Sequence, residues 1–146
     1  MVGSILVGTD GSDAAGAALA EAVRLARALD ARLQIVSAYE PVSEPHLRIG
    51  RVHVPADVQV NLREEVLALL EAAQREAEAA GVDRVETFAR VGDAADAILD
   101  VAEEQGSDLI VVGHRGMTGA TRFLLGSVPN KVSHHAPCSV MIVRTG

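Results

Sequence analysis

Two short runs without polar alternation, Ser4–Thr9 (SILVGT) and Leu109–Val112 (LIVV), constrain this chain's fold more than any other feature. A strand that is apolar at every position must be covered on both faces, which points to the interior of a parallel sheet. Parallel neighbours cannot be joined by a tight turn, so helical crossovers must separate them. The sequence supplies these. Asp10-Gly11-Ser12-Asp13 turns into a helix with Ser12 or Asp13 as N-cap, running to about Leu29 with Leu19, Val23 and Ala26 at helical spacing. Strand two is expected over Arg32–Ala38, and a long helix over Asp57–Ala80 with Gly81 as its stop. An alternating edge strand follows over Arg84–Arg90, then a helix from an Asp93/Asp96 cap to Gly106. Leu109–Val112 becomes strand four, Pro129 to about His135 a short helix, and Ser139–Arg144 strand five.

The 146 residues suit one domain that buries roughly two-thirds of its unfolded surface. Aromatic residues amount to 2%, only Tyr39, Phe88 and Phe123, so any flat ring must be held mainly between aliphatic side chains. A net charge of −7 argues against broad nucleic-acid or anionic-membrane binding, which needs a basic face. The single cysteine, Cys138, forms no internal disulfide and reads as a small buried residue in a reducing cytoplasm. Met1-Val2-Gly3 runs into a strand with no basic leader, and no apolar run approaches the ~20 residues of a membrane span. The expected location is cytoplasmic.

After strand four comes a loop with Gly113, Gly116, Gly119 and Gly126, then Ser127 and, two residues on, Pro129. Glycine permits positive φ and lets backbone amides approach a ligand. Pro129 suits the first turn of a helix, whose N-terminus would make Gly126, Ser127 and Val128 an anion seat, with Arg115 and Arg122 at its rim. Asp10, at the carboxyl end of strand one, admits two uses: a contact to ribose hydroxyls or a phosphate-bound Mg²⁺, or a cap for the turn that follows. Residues 40–56, with Pro41, Pro45 and Pro55, read either as a flexible flap or as a disordered connection. His46 and His53 fit no compact metal pattern, and the neighbours His134 and His135 face different directions on a helix.

Gly113-x-x-Gly116, nine residues, then Gly126-Ser127 resembles the G-x2-G-x9-G-(S/T) nucleotide motif of the universal stress protein family. The resemblance spans the whole chain, from SILVGTDGS at residues 4–12 to CSVMIVR at 138–144. It implies a single-domain α/β fold, Rossmann-like, with a five-stranded parallel sheet in the order 3-2-1-4-5 and helices on both faces. Strands one and four would then flank a switch-point crevice, with Thr9-Asp10-Gly11 on one side and Val112, Gly113, Arg115, Gly116, Gly126, Ser127, Val128 and Pro129 on the other. The resemblance further implies that Ala38 and Tyr39 face an adenine through backbone groups. The ligand it implies is ATP, with Mg²⁺ at Asp10, or another adenine nucleotide such as AMP or cyclic AMP. It also implies a homodimer through Ser139–Arg144. No G-x4-G-K-(S/T) and no G-x-G-x-x-G after strand one are present, so a P-loop NTPase and a dinucleotide dehydrogenase fit poorly. Ser127 has no assigned His–Asp pair and reads as a phosphate ligand, with slow or no hydrolysis expected.

Overall fold

The computed structural model describes residues 2–39, 56–114 and 125–144. The connection at 40–55, and Arg115, Gly116, Gly119 and Arg122 of the glycine loop, lie outside the described residues. Elements alternate as the apolar runs require: β1 (Ser4–Gly8), α1 (Asp13–Leu29), β2 (Arg32–Tyr39), α2 (Ala56–Ala79), β3 (Val85–Val91), α3 (Ala94–Gln105), β4 (Leu109–Gly113), α4 (Ser127–His135) and β5 (Ser139–Val143). All four strand pairings are parallel, and the sheet order is β3-β2-β1-β4-β5. The alternating strand β3 is at one edge and β5 at the other.

Strand pleating divides the core into two layers. Ile5 and Val7 of β1, Leu33 and Ile35 of β2, and Val111 of β4 pack with α1 and α2. Leu6, Val36, Ile110 and Val112 point the other way, onto Ala97, Ile98 and Val101 of α3 and Val132 of α4. Each central strand thus feeds both layers, which is why its sequence shows no polar alternation.

Helix ends follow local chemistry. The Ser12 side chain caps α1 by accepting from the Ala15 N–H, and the Asp93 side chain caps α3 by accepting from that of Asp96. The helix α4 begins two residues earlier than Pro129 alone suggests, with Gly126 as N-cap and Pro129 in its first turn. At the opposite end of the sheet, Asp108 Oδ2 accepts from Gly3 N–H at 2.9 Å and Ser4 N–H at 3.1 Å, tying the start of β1 to that of β4.

Candidate functional site

β1 and β4 are hydrogen-bonded neighbours, yet β1 leads into α1 on one face of the sheet, while α4, the next described helix after β4, packs on the other. Such a divergence opens a crevice beyond the carboxyl ends of the strands. The crevice is there, about 500 Å³ counting its open mouth. Its floor is Gly8, Thr9 and Asp10 from β1, Val36, Ser37 and Ala38 from β2, and Val112 and Gly113 from β4. Its walls are the first turns of three helices: Ser12 and Ala15 of α1, Ala94, Ala97 and Ile98 of α3, and Val128 and Pro129 of α4.

The described wall residues are mostly aliphatic and include no aromatic ring, so they suit a flat group gripped by methyl contacts. Three helix N-termini converge there, each with partial positive charge. Those of α1 and α3 are covered by side-chain caps, whereas Gly126 gives α4 none. With Pro129 lacking an N–H, the first-turn donors of α4 are the amides of Ser127 and Val128. The end of the glycine loop is brought back to its beginning by a backbone bond from Gly126 N–H to the His114 carbonyl at 3.0 Å, while the His114 N–H donates to Val143 of β5.

Asp10 does cap the turn, its Oδ1 accepting from Ser12 N–H at 2.9 Å, yet it is exposed and lines the crevice as well. One use does not preclude the other, since a carboxylate has further lone pairs. Of the other residues singled out from sequence, Thr9, Ala38, Val112, Gly113, Val128 and Pro129 line the crevice. Gly11, Tyr39 and Ser127 are chain neighbours of lining residues and Gly126 is two residues from one, but none of the four is among the lining residues. The Tyr39 carbonyl accepts from Gly92 N–H at 2.9 Å.

Gly113 departs from expectation in its reason for being glycine. Its φ is not positive, and an added Cβ would stand 2.7 Å from the carbonyl oxygen of Ala14. The missing side chain lets the first turn of α1 settle onto the end of β4, a packing requirement rather than a ligand approach. Sequence reasoning did not single out Ser37 or the α3 wall. Ser37 is buried at the end of β2, and Ala94 and Ala97 carry no chemical mark. Only the βαβ handedness, which sends α3 to the far face of the sheet, could have placed that wall. Among the described residues no group of three or more His, Cys, Asp or Glu side chains could hold a metal ion. No described helix is long and apolar enough to cross a membrane.

A doubly wound parallel sheet with helix N-termini around its switch-point crevice defines an α/β protein of the Rossmann-like class. Within that class the chain belongs to the universal stress protein family, whose profile it matches over residues 1–144. It is 40% identical over 149 residues to Universal stress protein YxiE of Bacillus subtilis, covering 99% of this chain and 100% of that one. The solved structure of a universal stress protein in complex with cAMP aligns with a TM-score of 0.76 at 35% identity, covering 99% of each chain. That of the universal stress protein from Archaeoglobus fulgidus in complex with dAMP aligns at 0.67 and 25%, covering 97% of this chain and 98% of that one.

Proposed function

We propose that this protein is a regulatory adenine-nucleotide binder of the stress response, with ATP as its ligand and slow or no hydrolysis. The observation that carries this is the crevice itself: aliphatic walls for a purine, and at one rim a helix N-terminus without a side-chain cap. The adenine would lie toward Ala38 and Tyr39, the ribose near Asp10, and the phosphates before Gly126, Ser127 and Val128, with Arg115 and Gly116 as the further phosphate contacts that the glycine motif implies. Asp10 is the only carboxylate among the described lining residues. It suits a Mg²⁺ whose other ligands are phosphate oxygens and water, the ordinary way this ion binds with nucleotides. Asp10 already accepts from Ser12 N–H, and no described lining residue makes a second carboxylate or a histidine base, which favours binding over turnover. The same reading includes a homodimer along β5, a cytoplasmic location and one domain over residues 1–146; Ala56, which the sequence assigns to the connection at 40–56, is the first residue of α2.

Cyclic AMP is the second reading. No Lys or Arg is among the described lining residues, which leaves little local charge for a triphosphate, and a relative 35% identical has been solved with cAMP. Mass spectrometry of ligand released by denaturing the purified protein tests both at once. ATP or ADP supports the first reading, and cyclic AMP the second. A protein that emerges empty and binds neither in calorimetry overturns both.

A further inference from the structure

Lys131 is the only lysine in the chain. It is on α4, just past Val128 and Pro129 of the crevice wall. Its Nζ lies 2.7 Å from Asp96 Oδ1 and 3.4 Å from Asp93 Oδ2. Asp93 is the N-cap of α3 and Asp96 is in its first turn, the turn that supplies Ala94 and Ala97 to the opposite wall. One ammonium therefore joins two helical walls at the ends that face the crevice. Hydrogen bonding to Asp96 and the nearby Asp93 charge raise its pKa above the usual lysine value, so it stays protonated at any physiological pH.

The rest of the α3–α4 contact is apolar and carries no direction of its own. Val132 of α4 belongs to the same buried cluster as Ala95, Ala97 and Ile98 of α3. Pro129 stiffens the first turn of α4 but makes no hydrogen bond through its own nitrogen. From the fifth residue of α4, the ion pair is the one directional link to the first turn of α3 and its cap among the described residues.

We propose that Lys131 is a positioning residue, holding the first turn of α4 at a fixed distance from that of α3 so that the ligand meets a crevice of set width. This rests on the adenine-nucleotide reading and adds to it a dependence of affinity on a pair of carboxylates that need not touch the ligand. Asp93 has two duties, since its Oδ2 also accepts from Asp96 N–H at 3.1 Å. Asp96 has no cap to make, and so is the cleaner partner to remove.

Calorimetric titration with adenosine and with AMP, for wild type, K131Q, K131R and D96N, tests it. Lys131→Gln and Asp96→Asn are expected to weaken both ligands by roughly threefold to fivefold, the scale of an exposed ion pair. Lys131→Arg should stay within about twofold, because it keeps the charge and the reach. The thermal midpoint should move by no more than about 2 °C, as for other surface substitutions. Wild-type affinity for both ligands in K131Q overturns the proposal. So does a loss confined to AMP, which would be repulsion of phosphate by the freed carboxylates rather than positioning. If wild type itself binds neither ligand, the nucleotide reading fails and the proposal falls with it.

Discussion

A methyl group at position 113 would meet the backbone of Ala14, which cannot swing aside as a flexible side chain could. Gly113→Ala is therefore expected to cost about 1–3 kcal/mol in urea unfolding, the scale of overpacking, with or without ligand. Gly126 differs. Its φ of −62° suits any residue, so Gly126→Val should leave the unfolding midpoint nearly unchanged while its side chain fills the space before Ser127 and Val128. Binding should then be lost, and normal binding by Gly126→Val would mean that the anion seat is elsewhere. Local sequence treats both glycines alike, as members of one motif. What separates them is a neighbour on α1, remote in sequence, and no spacing rule carries that information. Cys138 is a plainer case. It is half-buried rather than buried as its sequence suggests, and that partial burial and the nearby Asp108 charge push its thiol up, so little thiolate forms at neutral pH. Alkylation by iodoacetamide at pH 7.5 should be several-fold slower than for free cysteine, about the deficit expected for a scarce thiolate. An equal or faster rate would contradict this.

Among the elements, β2 carries a polar knot that apolar patterning does not reveal. Gln34 is fully buried; its Oε1 accepts from Ser107 Oγ at 2.8 Å and from Ser4 Oγ at 3.1 Å, while its Nε2 has no partner among the described residues. Gln34→Leu would strip an acceptor from two hydroxyls and cost about 1–3 kcal/mol in chemical denaturation. The triple change Ser4→Ala, Gln34→Leu, Ser107→Ala should recover most of that loss, since no orphan remains; failure to recover would show that side-chain shape, not hydrogen bonding, sets the cost. The elements themselves were legible in the sequence to within a residue or two. β1 and β4 announced themselves because burial on both faces leaves no room for polar alternation. Ser12 and Asp93 were legible as caps because capping is chemistry between near neighbours. The α3 wall was not, because Ala94 and Ala97 acquire their place from the crossover, not from their side chains.

For the whole molecule, the order β3-β2-β1-β4-β5 puts the crevice at the centre of the sheet and leaves two edges. At β5, Val140, Met141, Ile142 and Val143 remain only half-buried, and the outer edge of the strand has no partner strand among the described residues. An apolar edge of this kind pairs readily with a copy of itself. Sedimentation equilibrium at micromolar concentration should therefore return twice the chain mass; a monomer there would remove β5 pairing from the proposal. The bond between Gly126 and His114, with His114 in turn held to Val143, has a consequence for how such a protein can change. Both posts of the glycine loop are fixed by the sheet and by α4, so the distance its connecting residues must span does not depend on their identity. Closing a somewhat longer or shorter connection between fixed posts alters the free energy only slowly. Ligand preference can thus drift through that segment alone, as a lock is rekeyed without rebuilding the door.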